Sequence, residues 1–77
     1  MDDVSVLFQL GQNISVLRNA KGISQEKLGE LTGLDRTYVS SVERGKRNIS
    51  LLNLVKLATA LNTSPAELLI GIGGVNE

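Results

Sequence analysis

The connection between two short helical segments constrains this chain more than any other feature of its sequence. Aliphatic residues repeat at helical spacing over residues 25–32 and again over residues 36–44. Ser24 and Asp35 stand where the N-caps of these segments belong, and Gly33 ends the first segment. Because only residues 33–35 separate the segments, the two helices must meet at a steep angle with a glycine at the corner.

Three further helices are predicted around this pair, so we expect an all-α fold of five helices. The first runs from about residue 6 to residue 21, and Gly11 within it marks a close approach of another element. The fourth runs over residues 51–62 after the cap Ser50, and the fifth opens at Pro65 after the cap Ser64. For the fourth helix we expect an inward face of Leu51, Leu54, Val55, Ala58 and Leu61.

Composition limits the class of protein to which this chain can belong. Its 77 residues suffice for one small domain, with an expected core over about residues 6–70 and a flexible tail over residues 71–77. The sequence lacks cysteine and histidine, so we expect neither an enzyme nor a metal or cofactor site. Eight basic residues balance eight acidic ones, no apolar run reaches 18 residues, and the N-terminus is acidic. We therefore expect a cytoplasmic protein without a membrane partner or small-molecule ligand.

The segment over residues 25–44 matches the residue types that a helix-turn-helix requires. Its fifth position, where the two helices cross, must be small and is occupied by Gly29. Its ninth position needs a positive φ, which Gly33 adopts at little cost. The remaining requirements are a polar first position and aliphatic residues at the fourth, tenth, fifteenth and eighteenth, which are met by Gln25, Leu28, Leu34, Val39 and Val42.

With this match, the chain resembles the lambda-repressor-like domain of the Xre/Cro family of bacterial and phage regulators. The stretches that carry the resemblance are residues 23–29 (ISQEKLG) and 42–47 (VERGKR), and it extends over about residues 10–69. Within the family, residues 34–40 and 43–50 are similar to the small controller proteins of restriction-modification systems. The resemblance implies a transcriptional regulator, repressor or activator, that binds a two-fold operator in double-stranded DNA as a homodimer and regulates its own operon. RNA polymerase is a further expected partner.

The exposed face of the third helix is the predicted site of base recognition. The resemblance implies that this helix enters the major groove, and Val39 and Val42 face inward. Arg36 can present two donors to guanine, and Thr37 offers a hydroxyl and a methyl group. The alternatives are that Arg36 is an ordinary solvated side chain and that Tyr38 covers the second helix. The predicted base set is Arg36, Thr37, Tyr38, Ser40 and Ser41.

A second group of residues is predicted to contact the DNA backbone. The N-terminus of the second helix offers free N–H groups to a phosphate, and residues 36–47 hold four basic residues against the single acid Glu43. In the family such a glutamate pairs with an arginine, here Arg18. Arg47 has the alternative of reaching a minor groove. The predicted backbone set is Ser24, Gln25, Lys27, Arg44, Lys46, Arg47 and Asn48.

Surplus apolar residues near the C-terminus suggest a dimer interface. One recognition helix reads only half a two-fold site, so useful specificity implies two copies. The predicted interface is Leu68, Leu69, Ile70 and Ile72, although these residues could instead close the core. Weaker candidates are Leu52, Val4, Val6 and Phe8. The residues also leave open a protein-interaction module, such as an antitoxin or a repressor antagonist, in place of a DNA-binding regulator.

Overall fold

A computed structural model describes residues 2–74 of the chain. The described residues form five helices and no strand, which confirms the all-α prediction. The helices are α1 (Asp3–Ala20), α2 (Gln25–Thr32), α3 (Arg36–Glu43), α4 (Leu51–Ala60) and α5 (Pro65–Leu68). None of the helices in this part of the chain is both long and apolar enough to cross a membrane.

Side-chain caps begin every helix. The four predicted caps are confirmed, since the side chains of Ser24, Asp35, Ser50 and Ser64 each accept a hydrogen bond from a backbone N–H in the first turn. The fifth cap is Asp2, whose carboxylate accepts from the Ser5 N–H at 2.7 Å. Helix α1 therefore begins at Asp3. The prediction of a start near residue 6 is wrong because it gave this aspartate no role.

The core lies where the five helices meet. Helix α1 packs against α3 and α5, α2 packs against α3 and α4, and α4 packs against α5. Aliphatic side chains from every helix fill the space between them, and burial of this apolar surface is the main favourable term in folding. The buried aliphatic residues are Leu10, Ile14, Leu28, Val39, Val42, Leu54, Leu57, Ala58, Leu61, Leu68 and Ile72.

Helix α4 is rotated relative to the predicted orientation. Leu54, Ala58 and Leu61 are buried as expected, but Leu57 is also in the core. Leu51 and Val55 were expected to face inward, and this is wrong: they are 73% and 41% exposed. Apolar residues cover most of the circumference of this helix, so hydrophobic periodicity does not determine which side faces the core.

The chain continues into the core after α5. Gly71 adopts φ 82°, and the Ile72 N–H donates to the Leu69 carbonyl at 3.0 Å, so the chain turns back after the helix. This turn places the Ile72 side chain in the core with 8% exposure. The core thus extends beyond the predicted boundary at residue 70. Residues 75–77, the end of the predicted tail, lie outside the described residues.

Candidate nucleic-acid interface

The corner between α2 and α3 has the predicted geometry. Gly33 follows α2 with φ 75°, in the left-handed region that glycine adopts at little cost. Gly29 lies at the crossing, where an added Cβ would stand 2.7 Å from the Leu34 carbonyl oxygen. A larger residue at this position would push the two helices apart. These two glycines therefore fix how α3 projects from the domain.

Helix α3 presents a polar face to solvent. Arg36 and Thr37 are exposed, whereas Tyr38, Ser40 and Ser41 are half-buried. The Ser41 hydroxyl donates to the Thr37 carbonyl at 2.9 Å, a bond within the helix. Arg36 and Thr37 are thus the members of the base set with the most accessible side chains, and Ser41 has an intrahelical partner.

Tyr38 contacts α4 and the loop after α3. Its hydroxyl oxygen accepts a hydrogen bond from Asn53 Nδ2 at 3.1 Å. The guanidinium carbon of Arg47 lies 5.2 Å from the centre of the tyrosine ring, within the range of a cation–π interaction. Asn53 is not predicted from the sequence, because no sequence pattern links residues that only the packing of α3 against α4 brings together.

Most of the predicted backbone set is accessible. Ser24, Lys27, Arg44, Lys46, Arg47 and Asn48 are exposed at the N-terminus of α2 and at the end of α3 with its following loop. Lys27 has a loose ion pair with Glu30, with Nζ 3.7 Å from the carboxylate, and both side chains are more than half exposed. Such a pair contributes little energy in water.

Gln25, the remaining member, is anchored at the interface of three helices. Its side-chain amide donates to Glu43 Oε1 at 3.1 Å. Arg18 donates to the same carboxylate through Nε at 2.7 Å and Nη2 at 2.9 Å, and its Nη1 donates to the Ile23 carbonyl. The predicted pair of Arg18 with Glu43 is thus confirmed, and it connects α1, the start of α2 and the end of α3.

The ion pair of Arg18 with Glu43 affects the charge of the surface formed by α3 and the loop that follows it. The hydrogen bonds to Glu43 raise the pKa of Arg18 above its ordinary value, with burial opposing them. The Glu43 carboxylate is buried and its charge is matched by Arg18 rather than directed to solvent. The other charged residues of 36–47 are Arg36, Arg44, Lys46 and Arg47, which are all exposed. The exposed charges of residues 36–47 are therefore all positive, although the net charge of the chain is zero.

Two of the four residues of the predicted dimer interface are buried in the core, and the other two are half-buried. Leu68 is fully buried and Ile72 is 8% exposed, so their side chains belong to the core of the single chain. The prediction that these two form an interface is wrong, because α5 and the turn at Gly71 aim them inward. Leu69 and Ile70 are half-buried and stay predictions. A larger exposed apolar cluster, which sequence analysis missed except for Leu52, lies on α4 at Leu51, Leu52 and Val55.

Together, the fold and the polar face of α3 define a helix-turn-helix domain. Helix α3 is the second helix of this motif, and its polar face is exposed beside a basic loop. The model of the Helix-turn-helix family HTH_3 matches residues 14–68. The chain belongs to this family, which consists of DNA-binding regulators and not of enzymes, as expected from the sequence.

Comparison with individual proteins shows which regulators of this family the chain is similar to. The control protein C.SmaI of Serratia marcescens is 45% identical over 82 aligned positions, covering 100% of this chain and 98% of that protein. The crystal structure of the restriction-modification controller protein C.AhdI from Aeromonas hydrophila matches with a TM-score of 0.82 at 58% identity, over 83% of this chain and 97% of that one. SinR, solved in complex with DNA, matches with a TM-score of 0.75 at 37% identity, over 79% of this chain and 98% of that one. The resemblance to the controller proteins is thus confirmed.

Proposed function

We propose that this protein is a sequence-specific transcriptional regulator that binds a two-fold operator as a homodimer and controls a restriction-modification operon, including its own gene. The observation that carries the proposal is the exposed face of α3, where Arg36 and Thr37 are accessible beside a loop with Lys46 and Arg47. The similarity to C.SmaI and C.AhdI supports the link to restriction-modification control.

Each group on this face has a role in DNA binding. Helix α3 enters the major groove, and Arg36 near its N-terminus donates two hydrogen bonds to one guanine. Thr37 contacts the neighbouring base through its hydroxyl or methyl group. The N-terminus of α2 at Ser24 and the cations of the loop bind phosphates and set the register of the protein on the duplex.

A second copy of the chain completes the operator-binding unit. One α3 reads one half-site, and two half-sites of B-DNA lie about 34 Å apart when separated by one helical turn. The longest dimension of the described residues is 32 Å, which is close to this spacing. We place the interface at the α4 cluster of Leu51, Leu52 and Val55, with Leu69 and Ile70 as the part of the sequence-based interface that is still accessible.

Regulation follows from where the operator lies relative to the promoter. A dimer upstream of the promoter recruits RNA polymerase, and a dimer over the promoter blocks it. Both effects require only occupancy of DNA, which depends on the concentration of the protein and on binding to adjacent sites. The protein acts in the cytoplasm, where its operator is.

The proposal is tested by titrating the protein onto a labelled duplex from upstream of its own gene, with a shuffled duplex of equal composition as control. We expect at least about a thousandfold preference for the upstream duplex and a steep loss of affinity with salt. Arg36→Ala is expected to weaken specific binding about 5- to 100-fold per half-site, and binding to the shuffled duplex much less. Equal affinity for both duplexes contradicts autoregulation through this operator.

A further inference from the structure

Three side chains connect the recognition helix, the loop that follows it and α4. Asn53 lies in the first turn of α4, and its backbone N–H donates to the cap Ser50 at 3.1 Å. Its side-chain amide donates to the hydroxyl of Tyr38 in α3 at 3.1 Å. The face of the Tyr38 ring in turn carries the guanidinium of Arg47, at 5.2 Å from the ring centre.

The tyrosine ring is held in place at both ends. It is half-buried and packs against the hydrophobic core, while its hydroxyl is bonded to Asn53. Because the phenol oxygen acts as an acceptor in this bond, its own hydrogen stays available for an outside acceptor. The ring is therefore a fixed platform with a defined face.

The platform limits the freedom of Arg47. An exposed arginine in a loop loses side-chain rotamer entropy when it is fixed at a phosphate. An arginine that already lies over an aromatic ring has lost part of this freedom before DNA arrives, and its donors stay available at the edge of the guanidinium plane. The ring also places this cation beside α3, on the side of the domain that the groove contacts.

We propose that Asn53 is a positioning residue for DNA binding, which orients Tyr38 so that its ring holds Arg47 in place to bind a backbone phosphate. The proposal rests on the proposed function, because it assigns a role within the same DNA contact. It gives Tyr38 a role as a platform in addition to any contact with a base. Asn53 itself does not touch DNA in this arrangement.

The first part of the test needs no DNA. Because the Arg47 guanidinium lies 5.2 Å from the centre of the Tyr38 ring, we expect the ring current of Tyr38 to shift the side-chain proton resonances of Arg47 upfield in the NMR spectrum. Tyr38→Leu removes this shift and calibrates it. We expect Asn53→Ala and Tyr38→Phe to reduce the upfield shift of Arg47 by at least half, because both break the same hydrogen bond. Gln12→Ala, at an exposed position of α1, is the control and should leave the shift unchanged. An unchanged Arg47 shift in both variants overturns the proposal.

The second part measures operator affinity and its dependence on salt. Asn53→Ala is expected to weaken binding about 2- to 5-fold per subunit, and Arg47→Ala to reduce the salt slope by about one per subunit. In the Arg47→Ala background, Asn53→Ala should cause no further loss, since the residue acts only through Arg47. Equal losses in both backgrounds indicate a merely structural role and overturn the proposal. If Asn53→Ala does not fold, Asn53→Leu replaces it, because leucine has a similar shape and cannot donate to the Tyr38 hydroxyl.

The outcome also separates this inference from the proposed function. Specific operator binding by the unmodified protein that is unaffected by Asn53→Ala overturns the inference alone. Absence of operator preference in the unmodified protein overturns the proposed function, and the role of Asn53 in DNA binding with it, even where the NMR shift shows that Asn53 holds the ring.

Discussion

At the scale of single residues, Gly11 sets the distance between α1 and α3. An added Cβ would lie 2.5 Å from the Val42 carbonyl oxygen and closer still to that of Glu43, and both obstacles are backbone atoms that cannot rotate away. We expect Gly11→Ala to lower the free energy of unfolding by about 2 kcal/mol, although alanine is the better helix former by about 1 kcal/mol. Urea denaturation measures this, with Gln12→Ala as the exposed control. A more stable Gly11→Ala protein contradicts this contact.

Asp2 is a residue whose effect depends on pH. The hydrogen bonds from Ser5 lower the pKa of its carboxyl below the ordinary aspartate value. A lowered pKa means that the cap stabilises α1 fully above the unfolded-state pKa and is lost as pH falls through the folded-state value. We expect the Ser5 amide resonance to titrate with a midpoint below the ordinary aspartate pKa. Asp2→Ala should abolish that titration and increase hydrogen exchange at Ser5, whereas a midpoint at the ordinary value argues against the cap.

At the scale of helices, the buried pair of Arg18 and Glu43 holds α1 against α3. The two side chains are 11% and 5% exposed, so removal of one leaves the other as an unpaired charge that is buried away from solvent. We expect Glu43→Ala to cost about 3 kcal/mol in urea denaturation and Glu43→Gln to cost less, because glutamine still accepts from Arg18. Lys27→Ala breaks an exposed pair and should change stability by less than about 0.5 kcal/mol. Equal effects of Glu43→Ala and Lys27→Ala contradict this assignment.

Much of the helical architecture could be predicted, because caps and left-handed glycines act locally. Ser24, Asp35 and Gly33 mark boundaries through bonds to residues a few positions away, so their effect is present in the sequence itself. The rotation of α4 could not be predicted, since apolar residues surround most of that helix.

In the candidate site, too, some features could be predicted from the sequence and others could not. Exposed Arg36 and the basic loop follow from the helix-turn-helix pattern. The bond between Tyr38 and Asn53 depends on how α3 and α4 pack, and the burial of Ile72 depends on the turn at Gly71. Neither has a local signature, because each requires the position of another helix.

At the scale of the whole molecule, we propose that the exposed apolar cluster on α4 determines how two copies associate. Leu51 and Leu52 are more than 70% exposed, and Val55 lies one turn further on the same side of the helix. A charge placed here would be desolvated in the dimer, so we expect Leu52→Glu to be a folded monomer in analytical ultracentrifugation, with operator affinity reduced at least about a hundredfold. Leu31→Glu, at an exposed position of α2, is the matched control and should stay dimeric. Should Leu52→Glu dimerise as the unmodified protein does, the interface lies elsewhere, and Ile70→Glu tests the half-buried residues after α5.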